Sequence, residues 1–403
     1  MFKKKEAKEY LILIVLALVQ GIFCGLIGGL FSKTIAFVTD FRADNSWILY
    51  GILIAGVITV FIFKYMKTEK DNTDIVIKSV NSGRFVSVFL LPSVFIGTVL
   101  THLCGGSAGR EGAALQMGGA SAGIFTKVFK LKTEQQKDLT IFGMAGFFAA
   151  LFGTPFGAAI FALEVTRLYK KAFKLVLPTI VSSLTAFGIA LLLQVSAEHF
   201  SVGEIKTFEL LSTLKILIIA VLMAVFGVVF CGCLKFSKYI FKRWLKNPYL
   251  RICVGAVAIL ILTRIIGNTD YNGGGINIIE RIFSNNTVKY EAFALKLLLT
   301  LITVAAGFKG GEIVPTFFMG ATLGATLASL LGLSLPIGAA VGMTALFCAV
   351  TKCPLASFIL AVEMFGFVGF IVYLVVSFIA YFVSGSYNLY DIEKISFKKY
   401  FTF

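Results

Sequence analysis

Charge is scarce in this sequence. Asp, Glu, Lys and Arg make up 14% of its 403 residues, against about 25% in an ordinary soluble domain. That shortage excludes a water-soluble fold with a normally charged surface. Histidine occurs only as His102 and His199, and none of the seven cysteines forms a CxxC pair. No zinc-type ligand spacing can be built from them, and the cysteines read as small core hydrophobes. No metal or cofactor is implied. A convincing cleavable signal is missing too: residues 1–10 are charged, and the apolar run after them is long enough to span a bilayer.

What fills the chain instead is apolar. Hydrophobic residues make up 58%, and mean hydropathy is +0.91. Runs approaching the ~20 residues that cross a hydrocarbon core recur throughout, as at 11–30, 48–63, 175–195 and 365–382. About ten to twelve such runs are expected by this criterion, several interrupted by Gly or Pro. Lipid offers backbone groups no partners, so the spans must be helices. The expectation is an all-α polytopic membrane protein. A net charge of +16 would suggest nucleic acid in a soluble chain, but the basic residues gather in short stretches at 3–8, 127–137, 170–174 and 235–251. By the positive-inside rule these face the cytoplasm, as would Lys394, Lys398 and Lys399. An inner (plasma) membrane location with both termini cytoplasmic follows, without a nucleic-acid partner.

The most specific signal is an internal repeat. "GMAGFFAALFGTPFGAAIFALE" (143–164) aligns without gaps to "GMTALFCAVTKCPLASFILAVE" (342–363), with 8 of 22 positions identical. Pro155 meets Pro354 and Glu164 meets Glu363, each pair 199 positions apart (354 − 155, 363 − 164). Earlier in each half, "GREGAALQMGG" (109–119) is echoed by "GGEIVPTFFMG" (310–320), so that Glu111 matches Glu312. The polar stretch 196–209 makes the junction, giving halves 1–200 and 201–403 within one integrated membrane domain. Gly- or Pro-interrupted segments at matching positions point to a transporter's binding site at the repeat interface.

The breaks suit an anion. Gly109 and Gly112 permit close backbone approach, and Glu111 opens a helix of small residues whose first N–H groups lack intrahelical partners. The helix dipole adds partial positive charge there. Gly310 and Gly311 break the second half likewise, with Pro315 near the helix start. Amides near Gly109, Arg110, Gly112, Ile313 and Val314 are therefore the candidate anion ligands. The Glu111 carboxylate can occupy the same site when ionised and leave it when protonated, which couples anion passage to proton passage. Glu312 is a second candidate proton-linked group: protonated it can donate a hydrogen bond, ionised it can relay a proton. An enzyme reading rests on "GGSAG" (105–109), which satisfies G-x-S-x-G. Its Ser107 has only His102 and His199 as conceivable bases, neither well spaced for the task, so no enzyme is expected.

These motifs resemble those of the CLC chloride channel and transporter family. "GSAGREGA" (106–113) is similar to its Gly-Arg-Glu-Gly-Pro motif, with Ala113 in place of Pro. "GGEIVP" resembles its Gly-x-Phe-x-Pro motif, and 143–164 resembles its Ala-Gly-x-x-Ala-x-Phe-x-x-Pro stretch. "GSYNLY" (385–390) resembles the segment that supplies an anion-coordinating Tyr, best matched by Tyr390. The resemblance implies a CLC-type inverted repeat with broken, membrane-embedded helices. It also implies a homodimer with one ion path per subunit, Glu111 as gate, and no cytoplasmic regulatory domain.

Three departures are informative. The family's Gly-Ser-Gly-Ile-Pro motif is replaced by "EKDNTDIVI" (69–77), where Asn72 and Thr73 stand in its place. Val165 follows Glu164 where exchangers often carry a second Glu, and Glu312 lies inside the second anion motif. Together with Ala113 these resemble the bacterial fluoride/proton antiporter branch. The implied function is fluoride export in exchange for protons, with a chloride/proton exchanger or a passive chloride channel as alternatives.

Overall fold

The computed structural model describes residues 2–167, 169–203 and 209–390, with side chains described outside 2–5 and 169–172. Lys394, Lys398 and Lys399 lie outside the described residues, as does 204–208 of the polar junction. The first half comprises α1 (Phe2–Asp44), α2 (Ile52–Tyr65), α3 (Thr73–Ser82), α4 (Leu90–Leu103), α5 (Glu111–Val128), α6 (Thr133–Phe152), α7 (Pro155–Val165) and α8 (Tyr169–Leu192). The second comprises α9 (Leu210–Trp244), α10 (Pro248–Ile266), α11 (Ile276–Asn285), α12 (Ala292–Ala306), α13 (Ile313–Leu331), α14 (Leu335–Thr351), α15 (Pro354–Phe365) and α16 (Phe370–Val383).

Six described helices are long and apolar enough to cross a membrane, and six shorter apolar helices accompany them. The long ones wear their apolar side chains outward: Leu11 is 61% exposed on α1 and Val225 50% on α9. Such surface is stable only against lipid or another apolar surface. Run 365–382 is a correction to the expected spans. Gly366 adopts φ 81°, where a helix cannot continue, so α15 stops at Phe365 and α16 restarts at Phe370.

The centre is built from the shortest side chains. α5 packs on α6 at Gly118 and Gly143, where a Cβ on Gly118 would lie 2.5 Å from the Gly143 carbonyl carbon. α13 packs on α14 at the corresponding place, with a Cβ on Gly320 only 2.7 Å from the Gly342 carbonyl oxygen. Helices approach this closely in a bilayer because small residues let backbones touch. Gly143 and Gly342 are the first residues of the aligned repeat, so the pattern in sequence is a packing pattern in space.

The repeat's last residues interlock the halves. Glu164, at the end of α7, accepts hydrogen bonds from Leu355 N (3.3 Å) and Ala356 N (2.8 Å) at the start of α15. Glu363, at the end of α15, accepts from Phe156 N (3.0 Å) and Gly157 N (2.6 Å) at the start of α7. Each short helix thus has its orphan amides satisfied by the carboxylate of the other half.

Candidate functional site

The two Gly-rich breaks meet face to face. Gly109 N donates to Gly311 O and Gly311 N to Gly109 O, both at 2.7 Å, a one-rung antiparallel bridge between the halves. Glycine is required here: a Cβ on Gly112 would lie 2.8 Å from Gly311 Cα, and one on Gly109 2.8 Å from Val314 Cβ. The rung brings the N-termini of α5 and α13 together. Neither helix has a side-chain cap of its own, so their first amides are left for something else.

One of them, on α13, is taken by Glu111. The residue is fully buried, and its Oε2 accepts a hydrogen bond from Val314 N at 3.1 Å. Its Oε1 has no partner. Gly109, Arg110, Glu111, Gly112, Ile313 and Val314 are therefore gathered at one locus. A cavity of about 420 Å³, lined by Gly109, Arg110 and Val314, opens beside it.

The helix starts also correct a pairing. Arg110 is the N-cap of α5 and Glu312 that of α13, so Arg110 is the counterpart of Glu312, and Glu111 is the counterpart of Ile313. The sequence echo had matched Glu111 to Glu312, one residue out of register. Arg110 and Glu312 are both N-cap residues with αR-like backbones, and both turn their charges to a partner. Arg110 donates to Glu198 Oε1 (2.9 Å), Ser32 Oγ (2.9 Å) and the Leu151 carbonyl (3.2 Å). Its guanidinium thus anchors the break in the protein. Glu312 Oε1 pairs with Lys238 Nζ at 3.0 Å.

The remaining candidates are held by contacts of their own. Asn72 is exposed and its Oδ1 caps α3 by accepting from Ile75 N at 3.0 Å. Thr73 is buried and its hydroxyl accepts from Gln116 Nε2 at 3.0 Å, which ties it to α5 five residues past Glu111. Tyr390 is buried, and the residue before it is fixed by Leu389 N donating to Val350 O at 2.8 Å. Ser107 bonds to Thr300 through its hydroxyl and to Thr303 through its amide, while His102 Nδ1 meets Thr98 O. Glu198 and Lys238 were not singled out by sequence reasoning. Their partners lie 88 and 74 residues away, and no local pattern marks them.

An all-helical, multi-pass membrane protein whose helices break and meet at its centre is the class that fold and site define. The chain belongs to the family described as voltage gated chloride channel, whose profile matches residues 51–385. A chloride/fluoride channel protein of Pseudomonas syringae pv. tomato is 28% identical over 395 residues, covering 96% of this chain and 87% of that protein. The H(+)/Cl(-) exchange transporter ClcA of Vibrio campbellii is 26% identical, covering 87% and 81%. Among solved structures, a CLC-type fluoride/proton antiporter superposes with TM-score 0.91 at 33% identity, covering 95% of this chain and 98% of that one. A slow cyanobacterial Cl-/H+ antiporter shares the fold, with TM-score 0.79 at 22% identity.

Proposed function

We propose that this protein is a fluoride/proton antiporter in which Glu111 is the gate. The observation that carries the reading is the Glu111 carboxylate seated at the N-terminus of α13 on Val314 N–H. A carboxylate there stands where a transported anion would sit, since helix N-termini offer unpaired amides and partial positive charge. A site of amides holds an anion without a full positive charge in contact with it, so the anion can leave. When Glu111 takes a proton it loses its attraction for the site and yields to an anion. When the anion departs the carboxylate returns ionised, so each passage is coupled to a proton. Glu312, the N-cap of α13, is the second proton-linked group, and Tyr390, Asn72 and Thr73 line the rest of the path. Fluoride is favoured over chloride because Glu312 stands inside the anion motif and because the CLC-type fluoride/proton antiporter resembles this chain more, at 33% identity and TM-score 0.91, than the Cl-/H+ antiporter does, at 22% and 0.79.

The same reading makes the protein a homodimer of the inner membrane, with its basic loops and both termini cytoplasmic and halves 1–200 and 201–403 forming an inverted repeat. The test is efflux from fluoride- or chloride-loaded liposomes containing the purified protein, with external pH recorded, for wild type and Glu111→Gln. Fluoride efflux with opposed proton movement, lost or uncoupled in E111Q, is expected. Chloride flux of equal or greater rate would place the protein among chloride transporters. No flux of either anion from folded protein would end the transport reading.

A further inference from the structure

Lys296 has no part in the scheme above, although an ionisable side chain buried in a membrane protein marks function by default. It lies one turn into α12 and is fully buried. Its Nζ donates to the carbonyls of Tyr271 (3.1 Å) and Gly273 (2.6 Å) and stands 5.1 Å from the centroid of the Phe318 ring. Arg42, at the end of α1, is 8% exposed and packs on the same loop: a Cβ on Gly273 would lie 2.9 Å from Arg42 Nη2. Arg42 also donates to the His102 carbonyl. Among the described residues, neither cation has a carboxylate within ion-pairing distance. Carbonyl dipoles and a ring face offset only part of the cost of burying an ammonium.

The loop that holds both cations lies against the breaks. Gly273 N donates to Gly106 O at 3.0 Å, and Asn272 Nδ2 to Gly105 O at 2.7 Å. A Cβ on Gly274 would touch Val314 Cγ1 at 3.4 Å. Phe318, whose ring faces the ammonium, is one turn beyond Val314 on α13. Arg42 lines the same cavity as Gly109 and Val314. Of the carboxylates on that cavity, Glu198 is paired with Arg110 and Asp270 with Lys289, while Asp40 and Glu280 are exposed at its rim.

We infer that Lys296, with Arg42 beside it, is the fixed counter-charge of the anion at the meeting point of α5 and α13. The negative charge that completes this arrangement is the transported halide or, in its absence, the Glu111 carboxylate. The two cations touch neither and act through the low-dielectric interior, so they set how tightly the break holds an anion. This rests on the transport reading above.

The experiment is fluoride flux in liposomes against fluoride concentration for K296M, K296R and R42M, each checked for folding by its elution as a single species. Apparent KM should rise roughly tenfold in K296M, from the lost attraction of one unit charge across the protein interior. R42M should shift KM in the same direction by less, and K296R should recover most of the K296M loss. kcat should change less than KM in all three. If K296M and K296R fall together in kcat with KM unmoved, Lys296 only holds the 271–275 loop and the inference fails. Should K296M not fold, R42M decides: an unchanged KM in folded R42M overturns the inference. Wild-type protein that moves neither anion would sink the transport reading itself, which separates the two failures.

Discussion

The two breaks share a backbone and differ in charge. Arg110 has φ −107°, ψ −10°, and Glu312 has φ −93°, ψ −8°, so the chain enters both helices in the same way. Yet the N-cap is a cation in one half and an anion in the other. The position after it is a carboxylate in one and Ile313 in the other. The partners differ as well. Arg110 and Glu198 are each 13% exposed, whereas Lys238 is 39% exposed opposite Glu312 at 13%. A symmetric scaffold thus brings two helix N-termini together, and the side chains alone assign unlike tasks to them. One break is tethered firmly and its next residue, Glu111, reaches across to Val314 N; the other holds its charge on a partner that water reaches.

The comparison breaks most completely if the shared rung is forced open. In Gly311→Ala the new Cβ would meet Gly112 N and stand 3.0 Å from Gly112 Cα, so the two N-termini must separate. Displacement of a site by about 1 Å costs on the order of 100-fold in rate, and fluoride flux in liposomes should fall by that much. Flux within a few-fold of wild type would mean the rung does not align the site.

Next in size is the tether. Arg110→Met leaves Glu198 buried without its cation, which should cost roughly 3 kcal/mol, read as a drop in Tm in detergent. Burial pushes the Glu198 carboxyl above its ordinary range while Arg110 draws it back. A carboxyl raised by folding contributes stability at low pH that is lost as pH rises through its folded value. Removing Arg110 raises it further, so the R110M deficit should widen from pH 5 to pH 8 and narrow again in R110M/E198Q. A deficit independent of pH would assign the loss to the Ser32 and Leu151 contacts instead.

The smallest effect is expected at the other break. Lys238→Met removes a cation that water already reaches, and the same water can take its place beside Glu312, so the loss should stay below about 1 kcal/mol. Its Tm should stay close to wild type, and a fall as large as that of R110M would erase the distinction between the breaks.

Much of this was legible in the sequence. The membrane class followed from scarce charge and recurrent apolar runs, and the start of α5 at Glu111 from its glycines. Three points were not. The pairing of Glu111 with Glu312 matches like residues, but the two helices begin one residue after Arg110 and one residue after Glu312, which makes Arg110 the counterpart of Glu312. The partners Glu198, Lys238 and Lys296 were invisible because tertiary packing, not local spacing, chooses them. Gly366 illustrates a third kind of miss: hydropathy reads 365–382 as one span, while a positive φ at one residue divides it.

The crossed carboxylates of Glu164 and Glu363 bear on how the chain is made. A ribosome delivers the first half to the bilayer well before Glu363 exists, so α7 must wait with Phe156 N and Gly157 N lacking that acceptor. In hydrocarbon such amides are costly to leave open, and the first half remains an unfinished object until the second arrives. Completion is mutual, since α15 in turn needs Glu164. The two short helices therefore reach their final hydrogen bonding only together, once the last residues of the repeat have been made.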